Sequence, residues 1–167
     1  MEITLDRLLA SRDARASFQK ELLKSYPGKT LLCLTVIMPG KVKRNLQSIV
    51  VAQAAVTALV SAFSDSMLRL ELRDLPTGYE AYLVTSLSNE EAKSMACGIE
   101  DGHPLGRLFD VDVIDAKGIP VSRTSIGQSP RKCLVCGNEA AYCMRARTHS
   151  PAELFARINE MIEDYVR

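Results

Sequence analysis

The sequence predicts an α+β fold, in which a single domain holds a mixed or mostly antiparallel sheet, flanking helices and an irregular cysteine-containing lobe. Its 167 residues suit one domain covering residues 1–167. Apolar segments of helical length and short β-rich segments are both present, but they do not alternate as a regular βαβ repeat. Residues 125–149 fit neither pattern and form a loop-rich basic stretch.

The first third of the chain predicts a helix, a strand and a second helix. Residues 4–25 space their leucines and alanines at near-helical intervals, and Ser11 could cap a break between two helical segments. Residues 30–38 are apolar, β-rich and bounded by Pro-Gly pairs, which predicts a central strand. Residues 46–63 lack Gly and Pro and are interrupted by Gln53, so they predict a buried helix rather than a membrane span.

The middle of the chain predicts a hairpin followed by a helix. Residues 68–73 and 79–86 alternate like strands on either side of a Pro-Thr-Gly turn. Ser88 then begins Ser-Asn-Glu-Glu, a capping box with Glu91 at the third helical position, and the helix should end near Asp101.

The last third predicts a strand, a returning strand, the irregular lobe and a final helix. The strand lies within residues 106–115, and the Ala-Lys-Gly sequence after it predicts a turn that pairs residues 119–124 back upon it. Ser150 as cap and Pro151 at the first helical position begin the final helix.

Composition and charge set limits on the function. The chain has 47% hydrophobic and 25% charged residues, which is typical of a globular domain and excludes general disorder or a fibrous architecture. The net charge is only +1, and no basic stripe with interleaved aromatics argues for nucleic-acid binding. The amino-terminal residues carry acids rather than a targeting pattern, so we expect a cytoplasmic protein that does not act at a membrane.

Two acids interrupt the apolar strand GRLFDVDVID, residues 106–115. Since side chains two apart on a strand share a face, Asp110 and Asp112 should point to one side, with their backbones about 7 Å apart. Such a pair can bind Mg²⁺ together with substrate phosphates, whereas the alternative is a solvent-facing edge strand. Gly106 and Arg107 precede the pair and offer close backbone approach and a phosphate-binding guanidinium.

The cysteines of the irregular lobe have metal-ligand spacing. Cys133, Cys136, Cys143 and His149 form C-x2-C-x6-C-x5-H, which suits a tetrahedral structural zinc ion. Thiol redox chemistry and ordinary reduced cysteines are the alternatives. The five cysteines are not expected to form disulfides in a reducing compartment.

Basic residues supply a third group of candidates. Residues 121–149 contain five basic side chains against the single acid Glu139, so this stretch could face an anion. His103 could orient the acidic strand or transfer a proton, although a satisfied loop histidine is the simpler interpretation. The candidate phosphate-binding residues are Lys43, Arg44, Arg123, Arg131 and Lys132.

Several segments, taken together and in this order, resemble the apo-citrate lyase phosphoribosyl-dephospho-CoA transferase family over nearly the whole chain. The blocks G-R-L-x-D-x-D and P-R-K-C-x-x-C are the most specific of them. The resembling segments are residues 11–15, 38–40 with Lys43, 102–113, 122–123, 130–136 and 147–150.

The resemblance implies a transferase of the nucleotidyltransferase type. Its donor would be 2′-(5″-triphosphoribosyl)-3′-dephospho-CoA, and its acceptor a serine of the citrate lyase acyl carrier protein, with release of diphosphate. Asp110 and Asp112 would hold Mg²⁺ against the triphosphate, and either carboxylate could accept the serine proton. Arg107, Lys43 and nearby basic groups would offset phosphate charge.

Two other functions remain open at this point. The related transferase of malonate decarboxylase would use the same donor with a different carrier protein. A zinc-stabilised interaction module with a merely exposed Asp pair belongs to a different class, and metal-dependent release of diphosphate distinguishes it from either enzyme.

Overall fold

A computed structural model describes all 167 residues and confirms the α+β class. Every strand pair is antiparallel, so the sheet is not mixed. The elements are α1 (Leu5–Ser25), β1 (Thr30–Val36), α2 (Leu46–Phe63), β2 (Met67–Leu75), β3 (Gly78–Thr85), α3 (Asn89–Gly102), β4 (Phe109–Ile114), α4 (Ala140–Ala146) and α5 (Pro151–Val166).

The sheet has the strand order β2-β3-β1-β4, which makes β1 central and β4 an edge strand. β1 is apolar on both faces because both faces are covered. Leu32 and Leu34 face the larger core, whereas Leu31 and Cys33 face the smaller one. Burial raises the pKa of the Cys33 thiol to about 12, so this cysteine is a protonated core residue.

The helices lie in two layers. α2, α3 and α5 cover one face of the sheet and form the larger core with it, while α1 covers part of the opposite face. α2 is long and apolar enough to cross a membrane by length and composition alone, but its inner side, including Val51, Leu59 and Phe63, is buried against the sheet. The prediction of a core helix at 46–63 is therefore confirmed.

Helix caps explain where the helices begin. Ser88 and Ser150 each form the predicted capping box, with Glu91 and Glu153 bonding back to the cap. Asn45 caps α2 in the same way through Ser48. Each such cap is worth about 1 kcal/mol to its helix.

Two sequence predictions about local structure are wrong. α1 runs without a break at Ser11, whose hydroxyl instead hydrogen-bonds the Thr77 hydroxyl of the β2–β3 turn at 2.9 Å. Residues 119–124 turn back towards β4 as predicted, and the Val121 N–H donates to the Val113 carbonyl at 2.8 Å. They do not form the predicted strand, however, because the pairing stops after one bridge between Pro120 and Ile114. Proline has no N–H to donate, and a following 3-10 turn at Thr124–Ile126 diverts the chain.

The lobe at residues 125–149 is mostly irregular, as predicted, but it also contains the short helix α4. Cys143 is its only buried residue. Hydrophobic burial therefore contributes little to the order of this lobe.

Candidate functional site

Strand β4 brings Asp110 and Asp112 to one face of the sheet, as the alternation predicts. Phe109, Val111 and Val113 are buried in the larger core on the opposite face. Asp110 is half-buried and Asp112 is exposed. The two carboxylates lie on the face that α1 covers only partly, at the edge of the sheet.

The strands beside the acidic pair add further polar groups to the same face. Thr35 lies opposite Asp110 on β1, and its hydroxyl donates to Asp110 Oδ2 at 3.4 Å. On β3, opposite Thr35, the buried Glu80 accepts from Arg15 Nε of α1 at 2.9 Å and from the Tyr82 hydroxyl. Arg15 thereby anchors α1 beside the pair.

The chain's own basic side chains balance the negative charge of the acidic pair only in part. Although Asp112 is exposed as a residue, neighbouring protein atoms partly dehydrate its carboxylate, and this effect and then the negative charge of Asp110 raise its pKa. Lys93 and Arg15 only partly oppose this shift. Asp112 has no ion-pair partner within 4.0 Å. A cation between the carboxylates would relieve their repulsion, and two oxygen donors of this kind suit a hard divalent ion.

An open groove of about 420 Å³ lies between α1 and the end of β4. Ile114, two residues after Asp112 and on the same face of β4, lines it, whereas neither acid of the pair does. Lys20 and Lys24 of α1 and Lys117 after β4 also line the groove, and none of them forms an ion pair.

Arg131 reaches from the lobe to the acidic strand. Its Nη2 donates to the carbonyl oxygens of Phe109 at 2.8 Å and Arg107 at 3.1 Å. Its Nη1 lies 3.4 Å from Asp110 Oδ1 and 3.7 Å from Glu100 Oε1. This predicted phosphate-binding residue therefore holds the start of β4.

Glu100 of α3 is a buried carboxylate that the sequence interpretation did not single out. It accepts from the Val111 N–H at 2.9 Å and from Arg123 Nη2 at 2.6 Å. Arg123 also donates to both carboxylate oxygens of Asp101 at 3.0 Å. Arg131 of the lobe and Arg123, just before it, thus both contact Glu100, which itself bonds to β4.

Arg107 differs from these arginines because no acid pairs with its guanidinium. Burial, and then the positive charges of Arg131 and Arg123, lower its pKa. A half-buried cation beside other cations gains stability from a bound anion. Arg107 is thus a cation without an acidic partner, and its phosphate-binding role stays a prediction.

The other predicted basic residues occupy different environments. Lys43 is half-buried, and burial followed by the nearby charge of Arg12 lowers its pKa. Its Nζ donates to the Met38 carbonyl at 2.5 Å. Arg44 is bonded by two 2.7 Å contacts to the exposed Asp74, and Lys132 is exposed without an ion pair.

His103 and Gly106 have structural surroundings. His103 Nδ1 accepts from the Leu105 N–H at 3.0 Å, its ring packs against Phe109, and burial lowers its pKa. These are features of a satisfied loop histidine. A Cβ at Gly106 would lie 2.3 Å from the Glu100 carbonyl oxygen, so glycine is needed there for close packing against the end of α3.

The lobe brings its four predicted metal ligands together. One ligand atom from each of Cys133, Cys136, Cys143 and His149 lies within 4.8 Å of the others, so the set could hold a metal ion. The Cys136 and Cys143 sulfurs are 3.5 Å apart, and His149 Nε2 is 3.3 Å from Cys136 Sγ. Burial opposes ionisation of Cys133, but hydrogen bonds from the N–H groups of Cys136 and Val135 help lower its pKa to about 7.

Known proteins match this chain across both the acidic strand β4 and the cysteine cluster of the lobe. A family model described as apo-citrate lyase phosphoribosyl-dephospho-CoA transferase matches residues 3–165. The chain belongs to this family. The resemblance inferred from the sequence blocks is thereby confirmed.

Individual relatives extend across almost all of the chain. A protein of Streptococcus pyogenes serotype M18, named probable apo-citrate lyase phosphoribosyl-dephospho-CoA transferase, is 36% identical over 167 residues, 98% of this chain and 87% of its own. A Vibrio cholerae serotype O1 protein of the same name is 38% identical over 99% of this chain and 94% of its own. Haemophilus influenzae protein CitXG is 38% identical over 98% of this chain, which corresponds to 36% of that protein.

For this member of the apo-citrate lyase phosphoribosyl-dephospho-CoA transferase family, the sequence signal for Glu100 was present but easily overlooked. Ala92, Ala96 and Glu100 follow one another at four-residue intervals, which places the acid on the buried side of α3. A buried acid on an apolar helix side needs a partner. Thr35 and Glu80 carried no comparable signal, because only the sheet register brings them near Asp110. Arg15 of α1 reaches this face through its ion pair with Glu80.

Proposed function

We propose that this protein transfers the 5-phosphoribosyl-dephospho-CoA group from 2′-(5″-triphosphoribosyl)-3′-dephospho-CoA to a serine of the citrate lyase acyl carrier protein. The observation that supports this most is that Asp110 and Asp112 share one face of β4 and that their negative charge is only partly balanced by basic side chains, in a chain of this family. The reaction would take place in the cytoplasm.

The chemistry is a nucleotidyltransferase-type substitution at phosphorus. The serine oxygen forms a bond to the α-phosphorus of the donor, and the bond from that phosphorus to the leaving diphosphate breaks. The serine proton passes to a carboxylate of the Asp110–Asp112 pair. The product is a phosphodiester on the carrier, together with free diphosphate.

Asp110 and Asp112 would hold Mg²⁺, and their donor set fits this ion. Both supply hard oxygen ligands, and Asp112 is free of ion pairs. When bound, Mg²⁺ stabilises negative charge that develops on the phosphates. Thr35, which donates to Asp110 Oδ2, would orient that carboxylate.

Positive side chains that lack acidic partners would bind the donor phosphates. Arg107 fits this role best because its guanidinium lacks an acidic partner. Lys43 and Arg12 form a second unneutralised pair of cations. The groove beside Ile114, with its three unpaired lysines, offers space for the diphosphate and pantetheine parts of the donor.

A direct test combines purified protein, donor, Mg²⁺ and candidate apo-carriers, and measures each carrier by mass spectrometry. We expect the mass of the prosthetic group on the citrate lyase carrier and stoichiometric release of diphosphate. The malonate decarboxylase carrier serves as the comparison. Modification of that carrier alone would identify the alternative transferase, and modification of neither would contradict the proposal.

Zinc is the metal that we propose for the lobe, bound by Cys133, Cys136, Cys143 and His149. Three thiolates and an imidazole form a tetrahedral donor set that zinc accepts in structural sites. The lobe buries only Cys143, so a metal would supply order that hydrophobic packing does not.

Cys136→Ser should remove the bound zinc and lower the free energy of unfolding by about 3 kcal/mol, because metal-binding energy is part of folding energy in such sites. At this chain length the melting temperature should fall by about 10 °C. Elemental analysis and thermal unfolding measure the two effects. Cys97→Ser, outside the cluster, should keep the zinc, whereas wild-type protein purified under reducing conditions without any zinc would rule the site out.

The basic lobe would attract the carrier, because acyl carrier proteins are usually acidic. Raising the salt concentration from about 0.05 M to about 0.5 M should slow association several-fold, since salt screens long-range attraction. Stopped-flow measurement gives the rate. Arg145→Gln should reduce this salt dependence, whereas Lys29→Gln, outside the lobe, should not; equal slopes in all three proteins would exclude steering by the lobe.

A further inference from the structure

The metal-ligand cluster is linked to Arg131 through a short, hydrogen-bonded piece of backbone. Cys133 follows Arg131 by two residues, and its N–H donates to the Asn138 carbonyl at 2.7 Å. The Arg131 carbonyl accepts from the Ala140 N–H at 2.8 Å. Between them, Lys132 forms an isolated bridge with Glu139. The loop that carries two of the ligands is thus the same loop that fixes the Arg131 backbone.

The side chain of Arg131 ends at the candidate active site. Its guanidinium donates to the carbonyl oxygens of Arg107 and Phe109 and lies 3.4 Å from Asp110 Oδ1. Only 19% of the side chain is exposed. An arginine held by two carbonyl groups presents its remaining N–H groups in a fixed direction, so its backbone position determines where the Asp110 carboxylate is held.

Few other interactions hold the Arg131 backbone in place. From residue 125 to residue 149 only Cys143 is buried, and Cys143 is itself a member of the cluster. Leu134 packs on the core only in part. Closing the cluster would therefore be the main source of order in this loop.

We propose that the metal bound by Cys133, Cys136, Cys143 and His149 controls transfer by positioning Arg131 against Asp110. This inference rests on the proposed function of the acidic pair. The lobe metal touches neither substrate nor reacting atoms, and Arg131 is a positioning residue for Asp110. Loss of the metal releases the loop, Arg131 leaves Asp110, and the carboxylate loses the orientation that transfer requires.

Arg131→Lys removes the guanidinium but leaves the four metal ligands in place, so it distinguishes the role of the arginine from that of the metal. Lysine keeps the charge but cannot bond the Arg107 and Phe109 carbonyls and Asp110 at the same time. We expect kcat for transfer to fall by about 10- to 100-fold with a smaller change in KM, while zinc content stays at the wild-type level. Arg167→Lys, at an exposed arginine outside the lobe, is the control and should change neither quantity.

The decisive measurement combines this variant with reversible zinc removal. Chelation should lower the kcat of wild-type protein by about 10- to 100-fold, and added zinc should restore it. In Arg131→Lys protein, chelation should have little further effect, because the metal acts through the missing guanidinium. An equal fold-loss in both proteins would overturn the proposal.

Amide hydrogen exchange tests the same linkage without transfer. Zinc removal should speed exchange at residues 131–140 and 109–111 in the wild type. His149→Cys, which keeps four zinc-competent ligands, should retain slow exchange and zinc. Unchanged exchange after complete zinc loss would refute the linkage, whereas zinc-dependent exchange in a protein that modifies no carrier would refute only the transferase function.

Discussion

Asp110→Asn and Asp112→Asn are each expected to reduce prosthetic-group transfer by at least about 100-fold, without loss of folding. Asn keeps the size and much of the hydrogen-bonding shape of Asp but removes the charge that a divalent cation needs. Charge stabilisation by a bound metal contributes several kcal/mol to such reactions, and each 1.36 kcal/mol corresponds to about tenfold in rate. Diphosphate release and carrier mass should be measured at several Mg²⁺ concentrations.

The controls for this prediction separate charge loss from damage to the fold. Asp65→Asn, at an exposed position after α2, should transfer at the wild-type rate. Thermal unfolding should show all variants folded, since neither member of the acidic pair is buried. Excess Mg²⁺ could rescue one single variant in part but not the double variant. Wild-type rates in both single variants and in the double variant would contradict the proposed mechanism.

Local sequence patterns predicted the elements that carry the acidic pair. Alternation alone placed Asp110 and Asp112 on one face, because Phe109, Val111 and Val113 must be buried on the other. The capping boxes at Ser88 and Ser150 predicted helix starts for an equally local reason, since both partners lie within four residues.

The surroundings of the pair could not be predicted in this way, because they depend on contacts distant in sequence. Arg131 meets Asp110 and Glu100 across 21 and 31 residues, and Thr35 meets Asp110 across 75. The sequence identified Arg123 and Arg131 as candidate phosphate-binding residues, but it could not reveal that both contact the negative charge of Glu100 on α3. The four candidate metal ligands of the lobe could be predicted because their separations in sequence are short. One loop and one short helix are enough to bring them together.

Glu100→Gln is expected to lower the free energy of unfolding by about 3–5 kcal/mol, the largest stability effect of any single polar substitution considered. The side chain is only 3% exposed and accepts from Arg123 Nη2 and from the Val111 N–H. Gln can still accept one of these hydrogen bonds, but it leaves the buried end of Arg123 and the nearby Arg131 without their shared negative charge. Removing one partner from a buried ion pair carries a penalty of this size. We expect the lower end of the range, because Arg123 keeps the exposed Asp101 as a partner and Arg131 keeps Asp110.

Asp101→Asn is the matched control, because Asp101 pairs with the same arginine from an exposed position. Its side chain is 52% exposed, so solvent screens the pair and the loss should stay below about 1 kcal/mol. Urea unfolding of the two variants beside wild type measures the difference. Since Glu100 also holds β4 through Val111 and contacts Arg131, Glu100→Gln should reduce transfer under conditions where it remains folded, whereas Asp101→Asn should not. Equal stability losses in the two variants would mean that Glu100 is not the buried link between Arg123, Arg131 and the acidic strand.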